Sequence, residues 1–125
     1  MKTILVFGSE DFDYDNKAVN MIDLLKKKLT DHAIYKLSRP EQIMDFLQKD
    51  FIILDVAKGI NKPVMITDLD KIKYGKKITA HDMDLAAFLK TLKELRQIDK
   101  IKIVAIPNDK ETNVEEVAKM IMKFT

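Results

Sequence analysis

The chain has 125 residues, a length typical of one domain spanning 1–125, and 46% of them are apolar, enough to build a core. Its 22 basic and 20 acidic residues leave a net charge of +2, which gives no reason to expect a nucleic-acid partner. Cysteine is absent, which excludes disulfides, thiolate metal sites and cysteine nucleophiles. No apolar run is as long as a signal peptide's or as the roughly 18 residues of a membrane span, so we expect a cytoplasmic protein with no membrane partner.

The first third of the chain predicts alternating strands and helices. A short apolar run rich in β-branched residues predicts a buried strand at residues 3–7, and a weaker strand follows at 33–36. Between them, apolar residues at helical spacing predict a helix that ends on three lysines, which suit a helix C-terminus. Its inward-facing residues are Ala18, Ile22, Leu25 and Leu29. Pro40 is well placed as the first residue of a second helix, with Ile43, Met44 and Leu47 facing inward.

The pattern continues to the end of the chain. Buried strands are predicted at 51–54 and 101–106, and a weaker strand at 63–67 leads into an irregular or hairpin-like excursion. A third helix begins at Asp82 and Asp84, whose charges complement a helix N-terminus, and its apolar face consists of Leu85, Leu89 and Leu92. A fourth helix begins with an approximate capping box of Asn113 and Glu116, and its core face consists of Val117, Met120 and Ile121.

Regular alternation of strands and helices predicts an α/β fold: a three-layer αβα domain with a mostly parallel twisted sheet and helices on both faces. Right-handed crossovers then place the first strand centrally. In such sheets ligands bind beyond the carboxyl ends of the strands, where the strand order switches direction.

Three groups of potentially reactive side chains are predicted at that edge. Residues 8–15 carry four acids after the first strand, Asp55 directly follows the strand at 51–54, and His81 opens the third helix. Two carboxylates and an imidazole can hold a divalent transition metal and leave positions open, or can perform general acid–base chemistry. Taken singly, Asp55 could cap a turn and His81 a helix. We expect His32 to lie on the surface.

In this order, these residues resemble the hydrogenase maturation protease family. Its members remove a carboxyl-terminal peptide from the large subunit of nickel–iron hydrogenases once nickel has been inserted. The matching segments are an initial Ile-Leu-Val-Phe-Gly strand (4–8), a strand ending in Asp (51–55), a histidine at the head of a Leu-rich helix (81–86) and a late Ile-Val-Ala-Ile-Pro strand (103–107).

The resemblance implies a catalytic and metal-contacting set of three residues. Its first acid falls on Asp15, with Asp13 as the alternative, its second acid on Asp55, and its imidazole on His81. These side chains are expected to engage nickel carried by the precursor, so that the nickel arrives with the substrate. The implied partner is the large-subunit precursor of a nickel–iron hydrogenase.

The chain also departs from the family pattern, which leaves two alternatives open. Ser9 follows Gly8 where the family usually has Asn, and residues 37–40 replace an Asp-Gly-rich turn. A non-catalytic relative that binds nickel or the hydrogenase subunit is therefore one alternative. A phosphoacceptor receiver-like domain is the other, because residues 51–56 resemble the phosphorylated strand. It ranks lower, since receivers need a Lys where Ile106 precedes Pro107.

Overall fold

The computed structural model describes residues 2–7, 21–57, 62–67, 80–98, 100–107 and 113–124. These residues contain five strands and four helical segments. The strands are β1 (Lys2–Phe7), β2 (His32–Leu37), β3 (Phe51–Ala57), β4 (Val64–Ile66) and β5 (Ile103–Pro107). The helices are α1 (Ile22–Lys28), a 3₁₀ helix (Pro40–Phe46), α2 (Ala80–Glu94) and α3 (Val114–Phe124).

The strands form one sheet in the order β2-β1-β3-β5-β4. Strand β1 pairs in parallel with β2 and β3, and β3 pairs in parallel with β5, whereas β4 pairs antiparallel with β5 at an edge. The predicted mostly parallel sheet is confirmed, and the first strand, predicted to lie centrally, pairs with a strand on each side.

One face of the sheet is covered by α1 and α3. Alternate residues of the central strands form the buried core there, because successive side chains of a strand point to opposite faces. The strand residues are Ile4, Val6, Ile52, Leu54, Val56, Val104 and Ile106, and the helices contribute Leu25, Val117 and Ile121. The predicted core faces of the first and fourth helices are confirmed at these positions, although Met120 is only partly buried.

The opposite face of the sheet is covered by the 3₁₀ helix and α2. Its core consists of the intervening strand residues with the Leu stripe predicted for the third helix. The strand residues are Leu5, Phe7, Leu37, Ile53 and Ile103, and the helices contribute Ile43, Leu85, Leu89 and Leu92. The two cores together confirm the three-layer arrangement with helices on both faces.

The second predicted helix differs from expectation in its winding. It begins at Pro40 as predicted, but it is a 3₁₀ helix, with three residues per turn, through Phe46. That period places Ile43 and Phe46 on one face, and Ile43 is fully buried while Phe46 packs against the core. Met44 is 49% exposed, so its predicted inward position is wrong.

Local hydrogen bonds fix where two of the helices begin. The Asn113 Oδ1 accepts from the backbone N–H of Glu115 at 2.8 Å, which confirms Asn113 as the cap of α3, although the bond reaches Glu115 and not the Glu116 of the predicted capping box. The Gln42 Oε1 accepts from the backbone N–H groups of Ser38 and Arg39 at 2.8 and 2.9 Å. The turn between β2 and the 3₁₀ helix is therefore closed by a side chain and needs no glycine.

The remaining predicted features are partly outside the described residues. Strand β4 lies within the weak strand predicted at 63–67. The excursion predicted after it and Ala18 of the first predicted helix lie outside the described residues. Among the helices that the structure describes, none is long and apolar enough to cross a bilayer.

Candidate functional site

The strand order switches direction between β1 and β3. The chain leaves β1 for β2 on one side and then returns to form β3 on the other side of β1. The connection from β1 to β2 contains α1, the connection from β2 to β3 contains the 3₁₀ helix, and these helices cover opposite faces of the sheet. A crevice is therefore expected between the carboxyl ends of β1 and β3. Phe7 ends β1 at this edge, and β3 ends three residues after Leu54, at Ala57.

Asp55 is a buried carboxylate within β3. The prediction that it directly follows the strand is wrong, because β3 continues through Asp55 to Ala57 and pairs with β5 over this stretch. The residue is 8% exposed, and its Oδ1 accepts from the backbone N–H of Val56 at 2.9 Å. A buried carboxylate is costly unless it is hydrogen-bonded or meets a cation, and the Val56 N–H offsets part of that cost.

Alternation along β3 decides which face Asp55 occupies. Ile52, Leu54 and Val56 belong to the core under α1 and α3, whereas Ile53 belongs to the core under α2. Asp55 is two residues from Ile53, so its side chain projects toward the α2 layer. The acid therefore faces the layer that contains His81, near the carboxyl edge of the sheet.

The register places Asp55 in a row of residues that crosses all five strands. Phe7 pairs with Leu37, Asp55 pairs with Ala105, and Ala105 also pairs with Val64. Val6 of β1 pairs with Leu54 of β3. The next residues of the two strands, Phe7 and Asp55, are therefore also neighbours. In this row Asp55 is the only charged residue, and it lies between a large aromatic residue and a small one.

His81 is the second residue of α2. The helix leads back into β5, which is parallel to β3, so it runs antiparallel to these strands and begins at their carboxyl edge. The position of His81 is one helical turn before the buried Leu85, on the stripe that continues through Leu89. The backbone of His81 is described, and its side chain lies outside the described part.

The other predicted members of the site are not tested by this structure. Asp15 and its alternative Asp13 lie outside the described residues. Among the side chains that the structure describes, no group of three His, Asp or Glu could hold a metal ion. That set includes Asp55 but neither Asp15 nor the imidazole of His81, so their convergence stays a prediction.

A cavity of about 410 Å³ lies at the opposite, amino edge of the sheet. Lys2, Asp31 and His32 are among the residues that line it. His32 is half-buried and lines this cavity, so the expected surface position is confirmed in part. Burial lowers the pKa of His32 below its ordinary value of 6.5, Lys2 lowers that pKa further, and Asp31 opposes the change. The two histidines of the chain thus belong to opposite edges of the sheet.

The sequence alone does not show that Ala105 lies beside Asp55. The alternation in β5 assigns Val104 and Ile106 to one face and Ala105 to the other, but it does not reveal the neighbour of Ala105. Its pairing with Asp55 joins segments fifty residues apart and becomes visible only when the register is known.

No protein-family model and no curated protein matches the chain. Solved structures do match it over nearly its whole length. The hydrogenase-maturating endopeptidase HybD from E. coli aligns with a TM-score of 0.62 and 14% identity, covering 99% of this chain and 89% of its own. The hydrogenase 3 maturation protease aligns with a TM-score of 0.63 and 19% identity, covering 98% and 87%.

A third structure, an endopeptidase from Escherichia coli solved in solution, aligns with a TM-score of 0.58 and 16% identity, covering 98% of this chain and 88% of its own. Identities at this level show the fold alone. The chain therefore has the fold of the hydrogenase maturation endopeptidases.

Proposed function

We propose that this protein is an endopeptidase that removes the carboxyl-terminal peptide of a nickel–iron hydrogenase large-subunit precursor after nickel insertion. The shared fold with solved hydrogenase maturation endopeptidases supports this activity. The observation that carries the proposal furthest is the position of Asp55. It is a buried acid in a core strand, at the edge where α/β sheets bind ligands, and on the face covered by the helix that contains His81.

The proposed site consists of Asp15, Asp55 and His81. Two carboxylates and one imidazole suit a borderline divalent ion such as nickel and leave further positions for groups of the substrate. In this proposal the precursor brings the nickel, and the three side chains bind it from the protease side. Binding at the ion would hold the adjoining peptide bond at the carboxyl edge of the sheet, where hydrolysis adds water across it and releases a new carboxylate and a new amine.

A non-catalytic relative that binds the same precursor is the second candidate. The turn after β2 supports it, because Ser38, Arg39 and Gln42 form a side-chain-closed turn where the family has an Asp-Gly-rich one. In either case we expect a cytoplasmic protein.

The test is to incubate the purified protein with a nickel-loaded large-subunit precursor and, in parallel, with the same precursor lacking nickel. The proposal predicts a shortened subunit and one released peptide only with the nickel-loaded precursor. Complex formation without shortening, measured by size-exclusion chromatography, would favour the non-catalytic candidate. If the protein neither binds nor shortens the large-subunit precursors of its own host, both candidate functions are wrong.

A further inference from the structure

The cavity at the amino edge of the sheet is bounded by three elements of the fold. Lys2 begins β1, Lys28 ends α1 and leads into the turn before β2, and Met122 lies on α3. The volume of about 410 Å³ falls within the range of about 300–1,000 Å³ that is typical of small-molecule sites. The cavity lies at the opposite edge of the sheet from Asp55, so the proposed protease site does not account for it.

Backbone hydrogen bonds hold the turn that forms one wall of this cavity. The N–H of Leu29 donates to the Leu25 carbonyl at 2.8 Å, and the N–H of His32 donates to the Leu29 carbonyl at 3.1 Å. The N–H of Lys2 donates to the Asp31 carbonyl at 3.3 Å, which ties the start of β1 to the same turn. The backbone of this wall is therefore part of the hydrogen-bonded frame of the domain.

The charges around the cavity favour an anion. Lys2 and Lys28 contribute two ammonium groups, and Asp31 contributes one carboxylate. His32 is neutral at pH 7 and adds no charge, because burial and Lys2 lower its pKa below 6.5. Lys28 also forms an ion pair with Glu115 at 3.2 Å, but the two side chains are 38% and 65% exposed, so the pair is weak and can open for a ligand.

The C-terminus of α1 does not cancel this positive charge. The terminal carbonyl groups of a helix carry a partial charge of about −0.5, which by itself would oppose an anion. The last turn of α1 consists of three lysines, Lys26, Lys27 and Lys28. In addition, the carbonyls of Leu25 and Leu29 already accept backbone hydrogen bonds.

The cavity also has an apolar part. Leu29, which is almost fully buried, and Met122, which is 51% exposed, both line it. A bare phosphate would fill only a fraction of the volume, since even a water molecule takes up about 30 Å³. The remaining space and its apolar surface suit the organic part of a ligand.

From these observations we propose that the cavity binds a small organic molecule through its phosphate group. The phosphate lies between the ammonium groups of Lys2 and Lys28, beside His32, and the organic part packs on Leu29 and Met122. A phosphate monoester carries a charge of about −1.5 to −2 near pH 7, which two lysines match better than they match the single charge of a carboxylate. The inference does not depend on the proposed protease function.

The experiment follows the amide and methionine methyl NMR signals of the whole chain during titration at neutral pH and constant ionic strength. Three compounds are added separately: inorganic phosphate, phenyl phosphate and benzoate. The parent is compared with Lys2→Gln and Lys28→Gln, each of which removes one cation of the cavity. Lys93→Gln is the matched control, because it makes the same charge change at an exposed residue of α2, on the opposite face of the sheet. Thermal melts establish that each variant is folded.

We expect both phosphates to shift the amide signals of residues 29–32 in a saturable manner. Phenyl phosphate should bind more tightly than inorganic phosphate and also shift the Met122 methyl signal, whereas benzoate should bind more weakly than phenyl phosphate. Lys2→Gln and Lys28→Gln should each weaken the binding of phenyl phosphate by roughly three- to tenfold, on the scale of one partly exposed charged contact. Lys93→Gln should match the parent.

Several results would overturn the inference. The absence of a saturable shift with either phosphate would do so, and so would equal affinities of the parent and both cavity variants. An equal loss in Lys93→Gln would show that the anion responds only to the overall charge of the protein. Benzoate binding as tightly as phenyl phosphate would contradict the phosphate, and inorganic phosphate binding as tightly would contradict the organic part. Because no precursor is needed, each result is independent of the outcome for the protease.

Discussion

The Asp55 carboxylate accepts a hydrogen bond from the backbone N–H of Val56, with 2.9 Å between Oδ1 and N. The bond ties the side chain to its own strand at the end of β3, where the backbone of Asp55 pairs with Ala105. A neutral amide oxygen can accept the same bond, so this hydrogen bond does not depend on the charge.

Asp55→Asn should therefore fold like the parent and lose function. The amide keeps the shape and the acceptor oxygen but lacks the charge that a divalent ion requires, so we expect processing to fall on the order of 100-fold or more. Processing rate and melting temperature would be measured on the same sample. Asp45→Asn, a change at an exposed acid of the 3₁₀ helix, is the control and should process normally. Normal processing by folded Asp55→Asn would show that this acid is not part of the site.

His81→Ala should abolish precursor processing and change stability little. His81 lies in the first turn of α2, one turn before the first Leu of the buried stripe, so the helix keeps its packing at Leu85, Leu89 and Leu92. His32→Ala is the matched control, because it removes the other histidine of the chain, at the opposite edge of the sheet. Cleavage assays should separate the two variants. Equal activity of both, or a loss confined to His32→Ala, would contradict the assignment.

Helix α2 ends in a backbone conformation that favours glycine. Arg96 has a φ of 58°, and the surrounding bonds form a Schellman motif, in which Gln97 N–H donates to the Leu92 carbonyl and Arg96 N–H to the Lys93 carbonyl. We expect Arg96→Gly to raise the free energy of unfolding by about 0.5–1 kcal/mol, because Gly adopts this conformation without steric cost. Urea unfolding measures the difference. Arg96→Ala should give no such gain, and an equal gain from Ala would show that the Arg side chain, and not the backbone, is the cause.

The partly buried His32 should make stability depend on pH. Its pKa in the folded protein lies below the ordinary value of 6.5, chiefly through burial and further through Lys2. As the pH falls through 6.5, the unfolded chain takes up the proton first, so this residue's contribution destabilises the folded state progressively until the pH passes the folded pKa. His32→Gln should lose less stability than the parent between pH 8 and pH 5. If the melting temperatures of the two proteins change by the same amount across that pH range, the stated direction of the His32 pKa shift is wrong.

The sequence pattern predicts the layers of this fold well because burial repeats locally. Continuous apolar runs reveal the strands that end at Phe7 and contain Ile53, and the spacing of Leu85 and Leu89 reveals α2. These signals arise from neighbours within a few residues, and the parallel order of β1, β3 and β5 follows from the alternation of strands and helices.

The sequence could not predict features that depend on distant pairing. The extension of β3 past Asp55 depends on β5, which supplies partners as far as Pro107. The antiparallel orientation of β4 likewise depends on its partner strand. Met44 was misplaced because helical spacing does not distinguish 3.6 residues per turn from the 3.0 of a 3₁₀ helix over so short a segment. In the candidate site, the sequence identifies Asp55 and His81 by their residue types. The pairing of Asp55 with Ala105 is known only from the register of β3 and β5.

The central claim is that Asp55 and His81 belong to one metal-engaging site at the carboxyl edge of the sheet. The most direct measurement is X-ray diffraction from crystals soaked in Ni²⁺, with data collected at the nickel absorption edge to locate the ion. The account predicts an anomalous peak about 2.0–2.2 Å from an Asp55 carboxylate oxygen and from a ring nitrogen of His81, with Asp15 or Asp13 as a further ligand. A peak at His32 and none at Asp55, or an imidazole of His81 too far from Asp55 to share an ion, would contradict it.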